Sequence, residues 1–177
     1  YQPVCADEKV IIKDLVCNPM RISHDAAEPV AYRIGHGKKH VGIITDLGNY
    51  NDYTVESLKG MDALLLEANH DVNMLQVGPY PYRLKQRILG DKGHLSNERA
   101  GQLLCKLLHE GLQAVMLGHL SKENNLPELA YEAVRVEVAL AKNSASEEFF
   151  TECTMKPSDL PMSVASRSNP SPVLTIA

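Results

Sequence analysis

Three short apolar runs, at residues 41–45, 63–66 and 114–117, constrain the fold of this chain more than any other feature. Each run is continuous, as is typical of strands that are buried on both faces of a parallel sheet. Helical patterns separate the runs and predict helices at about 52–59, 71–77, 81–89, 96–109 and 126–142. Because strands and helices alternate along the chain, the sequence predicts an α/β fold with parallel strands.

The other strand-like segments lie towards the two ends of the chain. They are residues 10–12, 18–24, 29–34, 148–154 and 172–176. A polar turn at 25–28 joins the second to the third, and the Gly-His-Gly-Lys sequence at 35–38 is typical of a tight hairpin turn. The sequence therefore predicts one domain, with an upstream linker or strand (1–17), a core (18–142) and carboxyl-terminal strands with a tail (143–177).

The composition is that of a soluble globular domain. The 177 residues carry 18 Lys and Arg against 22 Asp and Glu, and the net charge of −4 excludes a strongly basic nucleic-acid binder. No apolar run approaches the roughly 18 residues that a membrane span needs, and there is no signal-peptide pattern. The four cysteines are far apart, so we expect no zinc knuckle and a cytoplasmic protein with reduced thiols.

A titratable residue follows each of the three buried runs. Asp46 comes directly after the first run, Glu67 directly after the second, and His119 follows the third after one glycine. The carboxyl ends of parallel strands meet at one edge of an open α/β sheet, where ligand and catalytic sites form. The sequence therefore predicts that Asp46, Glu67 and His119 converge at this edge.

Two further histidines add to this set. His24 ends a strand-like run, and His94 lies just before the helix predicted at 96–109. Histidine and aspartate are ligands for zinc, manganese or iron, and an aspartate can bridge two metals. Structural roles are the alternative: Asp46 as a turn former, the histidines as surface or packed residues, and Ser96 or Asn97 as a helix cap.

Six ordered motifs resemble those of the metallo-β-lactamase superfamily, most closely the bacterial YycJ (WalJ) group, with ribonuclease Z as a more distant relative. The matching stretches are I-S-H-D-A-A-E-P-V-A-Y at 22–32, T-D-L-G at 45–48, L-E-A-N-H-D at 66–71, G-P-Y-P-Y at 78–82, G-H-L-S-N at 93–97 and G-H-L-S-K-E-N-N at 118–125. Their order and spacing fit that family over most of residues 18–142. The resemblance implies a metal-dependent hydrolase.

The resemblance implies a role for each of the five titratable residues. His24, Asp46 and His119 match metal ligands, with Asp46 bridging two divalent ions, zinc or manganese. Glu67 and His94 resemble the catalytic pair of ribonuclease Z, in which the histidine contacts or protonates the leaving oxygen of the scissile phosphate.

Several neighbouring residues receive weaker assignments. The resemblance suggests Ser96 and Asn97 as substrate-binding residues, and His70 and Asp71 as residues that support the metal ligands. The remaining histidines, His36, His40 and His109, match no motif, and we expect them to be structural or at the surface.

The H-x-H-x-D-H motif that defines the superfamily is absent from these 177 residues. In relatives it lies upstream of the region that matches residues 1–24, so the chain resembles the carboxyl-terminal half to two thirds of such a protein. The resemblance implies a partial αββα sandwich that holds the second sheet and the last strands of the first. Three ligands are too few for a tight site, and we expect the isolated piece to be inactive and marginally stable or prone to aggregation.

The resemblance favours a phosphodiesterase of the nuclease type, acting on DNA in a 5′–3′ exonuclease-like manner, with RNA as the other nucleic-acid substrate. A basic stretch, Arg83, Lys85, Arg87 and Lys92, with Tyr80 and Tyr82 nearby, is compatible with nucleic-acid binding and equally with a solvated helix face. Two alternatives stay open: a hydrolase of a small phosphodiester or thioester, and a catalytically silent interaction module on the same scaffold.

Overall fold

A computed structural model describes residues 3–143, 161–171 and 173–177 of the chain. Within those ranges one seven-stranded sheet forms, and its strands are neighbours in chain order. The strands are β1 (Val10–Ile12), β2 (Leu15–Arg21), β3 (Val30–His36), β4 (Lys39–Ile44), β5 (Ala63–Glu67), β6 (Ala114–Gly118) and β7 (Met162–Val164). The helices are α1 (Asp52–Leu58), α2 (Val72–Val77), α3 (Tyr82–Leu89), α4 (Asn97–Leu107) and α5 (Pro127–Asn143).

The sheet is mixed, with an antiparallel half and a parallel half. Strands β1 to β4 pair antiparallel, and β3 passes to β4 through a tight turn in which Gly37 has a φ of 59°. That left-handed backbone favours glycine, which has no Cβ to clash. Strands β4 to β7 pair parallel, because a helical connection carries the chain back before each new strand. The predicted α/β fold with three parallel buried strands is confirmed.

Some predicted boundaries differ from those in the structure. Strand β2 ends at Arg21 rather than at residue 24, because Ser23 leaves the strand and bridges to Asn49. Helix α4 ends at Leu107 rather than at 109, since Leu108 turns to an extended backbone. The predicted strand at 172–176 is wrong for residues 173–176, which form no strand, and the segment 148–154 lies outside the described residues.

The hydrophobic core lies between one face of the sheet and the helices. Alternate residues of the central strands, including Ile44, Leu64, Leu66, Val115 and Leu117, are buried on this face. The i, i+3, i+4 stripe of α4 supplies Leu103, Leu104 and Leu107, and α5 supplies Ala130, Val134 and Val138. This packing fixes the carboxyl edge of the parallel strands, which carries the candidate site.

The opposite face of the sheet carries a second apolar stripe. Tyr32, Ile43, Leu65 and Met116 are aligned across four neighbouring strands by the pairing register, and each side chain is only partly buried. The described strands thus form one sheet, and the expected last strands of a first sheet are not among the described residues. No described helix is both long enough and apolar enough to cross a membrane.

Candidate metal and catalytic site

The three residues that follow the parallel strands lie together at the carboxyl edge of the sheet. Asp46 comes after β4, Glu67 ends β5, and His119 comes after β6. Asp46 and His119 have positive φ angles of 59° and 57°, which few residues other than glycine adopt. Such left-handed turns at strand ends redirect the chain, and strained backbone of this kind clusters at functional sites.

Hydrogen bonds between loops bring His24 and His94 to the same edge. The Gly48 N–H donates to the Ser23 carbonyl at 2.8 Å, and the Ser23 hydroxyl donates to the Asp91 carbonyl at 2.7 Å. These bonds tie together the loops that carry His24, Asp46 and His94. The ring centroids of His24 and His94 are consequently 5.1 Å apart, and those of His94 and His119 are 5.3 Å apart.

Glu67 is fully buried, and all of its hydrogen-bond partners belong to the site or its loops. Its Oε1 lies 2.7 Å from Nδ1 of His94 and 2.8 Å from Nδ1 of His119, and its Oε2 accepts the Leu47 N–H at 2.6 Å. Burial alone would raise the pKa of Glu67, but the hydrogen bonds from His119, His94 and Leu47 outweigh it and lower that pKa. Glu67 is therefore an ionised carboxylate that accepts hydrogen bonds from both imidazoles.

This arrangement sets which ring nitrogens stay free. The Glu67 carboxylate accepts from Nδ1–H of His94 and of His119. The other ring nitrogen, Nε2, does not contact Glu67 in either residue, so each Nε2 is available for a metal or a substrate. The hydrogen bond to Glu67 is also the largest cause of a raised pKa at His119. For His24, Nδ1 lies 3.0 Å from the Gly93 carbonyl, which fixes the tautomer in the same way.

The carboxylate of Asp46 lies between two of these free nitrogens. Its Oδ1 is 3.7 Å from Nε2 of His24 and 3.6 Å from Nε2 of His119. Both distances are too long for hydrogen bonds, but they suit two ligands that each stand about 2 Å from a shared ion. Imidazole nitrogens and a carboxylate oxygen form a donor set that fits zinc or manganese.

Two groups of three donor atoms lie within 4.8 Å of one another among the described residues. One group is His24, Asp46 and His94, and the other is Glu67, His94 and His119. In the second group the Glu67 carboxylate already accepts three hydrogen bonds, so that group is a hydrogen-bonded network rather than a set of metal ligands. The donor atoms facing Asp46 are the better candidates for binding metal.

Ser96 and Asn97, which the family resemblance suggests as substrate-binding residues, point into the protein interior. Both side chains are buried, at 6% and 0% exposed. Ser96 is the N-cap of α4 and accepts the Arg99 N–H, while Asn97 is paired with the Asn125 amide. The helix-cap alternative is therefore correct for Ser96, because a helix that starts here must satisfy its first N–H groups.

His70 and Asp71, which the resemblance suggests as support for the metal ligands, have different surroundings. Asp71 is the N-cap of α2 and accepts the Met74 N–H at 2.7 Å. The His70 ring is buried, and neither ring nitrogen has a hydrogen-bond partner among the described residues. Burial is the largest cause of its pKa falling to about 4, so His70 is neutral. Neither side chain contacts a candidate ligand through a hydrogen bond described in the structure.

The histidines that match no motif lie away from the site. His36 forms an ion pair with Asp14 at the surface, and His109 contacts the Met61 carbonyl at 2.9 Å. The backbone N–H of His40 donates to Asp62. These three positions agree with the predicted structural or surface roles.

Sequence reasoning missed a buried amide cluster that positions His119. The Asn69 amide donates to the His119 carbonyl at 2.8 Å, and the Asn125 amide donates to the Ala68 and Asn69 carbonyls at 2.9 and 3.0 Å. Asn125 also exchanges hydrogen bonds with Asn97 at 2.8 and 3.0 Å. The only available signal was the presence of these asparagines within the matching motifs.

A cavity of about 390 Å³ opens beside the three histidines. His24, His94 and His119 line one part of it, and Tyr80 and Lys122 line other parts. The carboxyl edge of the sheet is therefore open to a ligand of small-molecule size.

Comparison with known proteins gives relatives at the level of sequence and of fold, while no protein-family model matches the chain. It is 40% identical over 136 residues to the exodeoxyribonuclease WalJ of Streptococcus pneumoniae, which covers 77% of this chain and 51% of WalJ. It is 39% identical over 117 residues to the exodeoxyribonuclease YycJ of Bacillus anthracis, covering 66% of this chain and 44% of YycJ. The chain thus spans about half the length of these relatives.

Solved structures give the same fold at lower sequence identity. The metallo-β-lactamase fold protein YhfI from Bacillus subtilis matches with a TM-score of 0.56 and 19% identity, over 77% of this chain and 47% of YhfI. The Zn²⁺-bound PqqB from Methylobacterium extorquens also matches with a TM-score of 0.56, at 18% identity, over 93% of this chain and 52% of PqqB. These likenesses concern the fold alone.

Proposed function

We propose that this chain, a metallo-β-lactamase-fold protein related to the WalJ and YycJ exodeoxyribonucleases, forms part of the active site of a metal-dependent phosphodiesterase that degrades DNA in a 5′–3′ exonuclease-like manner. The observation that carries the proposal is the placement of Asp46 Oδ1 between Nε2 of His24 and Nε2 of His119. A hydrogen-bonded histidine, His94, lies directly beside them. The similarity to exodeoxyribonucleases supports DNA as the substrate.

The metal-holding residues in this proposal are His24, Asp46 and His119. Two divalent ions, zinc or manganese, would activate water and neutralise charge on the phosphate when bound. Asp46 would hold metal together with His24 and His119, since Nε2 of each histidine faces the same carboxylate oxygen. Three protein ligands are fewer than two sites need, so further ligands must come from outside the described residues.

The role of His94 in this proposal is to donate a proton. The Glu67 carboxylate holds His94 through Nδ1, which directs Nε2, the atom that would carry the donated proton, away from Glu67. When water attacks phosphorus and the bond to the leaving oxygen breaks, that oxygen takes the Nε2 proton. His94 regains a proton from solvent before the next turnover.

Two measurements on the protein as it is encoded in its source genome test this proposal: its metal content and its nuclease activity. We expect the wild type to hold divalent metal and to release nucleotides from duplex DNA carrying a 5′ phosphate faster than from RNA. Asp46→Ala should lose most of the metal and the activity, whereas Asp52→Ala, a change in the first turn of α1, should keep both.

The alternatives predict other results. A catalytically silent module would bind no metal in either variant, and Asp46→Ala would change only its stability. A small-substrate hydrolase would hold metal but leave DNA intact. The genomic sequence upstream of Tyr1 adds an independent check, since an H-x-H-x-D-H motif after a predicted strand would supply the missing ligands.

A further inference from the structure

The cavity beside the histidines has two walls that the proposed chemistry does not use. One wall consists of Tyr80, Leu84 and Ile88, and the other includes Ser121 and Lys122. The first wall comes from α3 and the turn before it, and the second comes from the loop after His119. Both walls are continuous with His94 and His119, so a ligand in this cavity would lie next to the reacting phosphate.

The first wall is mainly apolar and contains an aromatic ring. Tyr80, Leu84 and Ile88 are each partly buried, so these side chains are held by packing and still present surface to the cavity. An aromatic ring on such a wall is suited to stacking with a base, because every base has a π face. Tyr82, by contrast, is 74% exposed and does not line the cavity.

The second wall carries positive charge and a hydroxyl donor. The Lys122 ammonium makes no hydrogen bond or ion pair with the residues that the structure describes, and its side chain is exposed. The Ser121 oxygen accepts from the Asn124 N–H at 3.2 Å, and its own proton has no acceptor within the described ranges. Ammonium and hydroxyl groups of this kind are donors to phosphate oxygens.

Arg87 is the cavity's other cation, but its charge is already balanced. Its guanidinium forms a two-pronged ion pair with Asp25, the residue after His24. This pair joins α3 to the loop that carries His24 and leaves Arg87 less available for a ligand. Lys122 is therefore the unbalanced charge of the cavity.

We propose that this cavity binds one nucleotide of the substrate, adjacent to the scissile phosphate, with its base against Tyr80, Leu84 and Ile88 and its phosphate against Ser121 and Lys122. The proposal rests on the proposed phosphodiesterase function and adds the site that holds the substrate in place. The volume of about 390 Å³ is within the usual range for a small-ligand pocket and leaves room for a single nucleotide unit.

Calorimetric titration of the natively encoded, metal-loaded protein with deoxyadenosine monophosphate tests the proposal. Lys122→Ala should weaken binding roughly tenfold through loss of one charged phosphate contact, and Tyr80→Ala should weaken it roughly tenfold through loss of stacking. The matched controls are Lys38→Ala in the β3–β4 turn and Tyr82→Ala, which should bind as the wild type does. Deoxyadenosine, which lacks the phosphate, should be affected by Tyr80→Ala but not by Lys122→Ala.

The outcomes separate this proposal from the one on which it rests. Equal nucleotide affinity in Lys122→Ala, Tyr80→Ala and the controls, or no binding by the wild type, overturns the nucleotide site even if DNA is hydrolysed. In another outcome, the wild type hydrolyses no DNA but binds the nucleotide, and both cavity variants bind it more weakly. The nucleotide site then stands and the nuclease proposal fails. Thermal unfolding of each variant identifies any loss of affinity that comes from misfolding.

Discussion

Glu67, which is buried, and His119, which is partly exposed, form a contact in which the carboxylate Oε1 lies 2.8 Å from the imidazole Nδ1. The same oxygen lies 2.7 Å from Nδ1 of His94, so one carboxylate orients a candidate metal ligand and a candidate proton donor together. Each partner favours the charged form of the other: the pKa of Glu67 is lowered and that of His119 is raised. Glu67 therefore orients both histidines, although Glu67 itself is not exposed.

Glu67→Gln is expected to lower kcat on DNA by about 100-fold, the usual range for loss of a positioned general acid. The amide has one acceptor oxygen where the carboxylate has two, so it cannot accept from Leu47 and both imidazoles at once. The measurement is steady-state kinetics of the natively encoded protein together with its metal content. Glu56→Gln, at an exposed ion pair with Lys59, is the matched control, and equal kcat in the two variants would refute the assigned role of Glu67.

His70 is expected to make the protein acid-sensitive. Its pKa falls from the ordinary 6.5 to about 4 in the fold, chiefly because of burial. Below pH 6.5 the His70 imidazole becomes protonated in the unfolded chain but stays neutral in the folded chain. The free energy of unfolding therefore falls as pH drops from 6.5 to 4. The total loss is about 3 kcal/mol.

His70→Leu removes this titratable group. It should therefore reduce the dependence of stability on acid pH, which urea unfolding at several pH values measures. Near pH 7 the variant should be about as stable as the wild type, because both ring nitrogens of His70 lack partners among the described residues. An unchanged slope between pH 6.5 and 4 would show that other groups determine the acid sensitivity.

Asn125→Ala is expected to destabilise the fold by about 3 kcal/mol, because it leaves buried polar groups of Ala68, Asn69 and Asn97 without their partner. Urea unfolding is the measurement. Asn73→Ala, on the exposed face of α2, is the matched control and should change stability by less than about 0.5 kcal/mol. Equal effects of the two changes would mean that the amide cluster contributes little.

The apolar stripe on the outer face of the sheet leads to a prediction about association. A polypeptide of these 177 residues alone should self-associate as its concentration rises, because Tyr32, Ile43, Leu65 and Met116 form a continuous apolar surface that is only partly buried. Met116→Lys should reduce this association in light scattering. If the variant associates as strongly as the wild type, the surface responsible for association lies elsewhere.

The sequence was most informative where local patterns decide structure. The continuous apolar runs predicted β4, β5 and β6, and the position of Asp46, Glu67 and His119 after those runs predicted that they would meet. Placing His24 and His94 beside them required the family resemblance, because the loops that carry them are joined by backbone contacts such as that of Gly48 with Ser23.

Other features depend on contacts between distant segments and could not be predicted from local pattern. Ser96 and Asn97 follow His94 in a motif, yet the start of α4 turns both side chains into the protein interior. Tyr80 and Lys122 are 42 positions apart and share a cavity only because α3 packs beside the loop after β6. Packing of that kind is a property of the whole fold.

The hydrogen bond from Leu47 N–H to Glu67 has an evolutionary consequence. The left-handed turn that positions the Asp46 carboxylate also positions the neighbouring Leu47 peptide, which holds Glu67, and Glu67 in turn holds His94. Substitutions at Asp46, Glu67 and His94 should therefore be epistatic, with effects that do not add. Replacement of one of these three residues should therefore alter what the other two can tolerate, because they share one hydrogen-bonded arrangement.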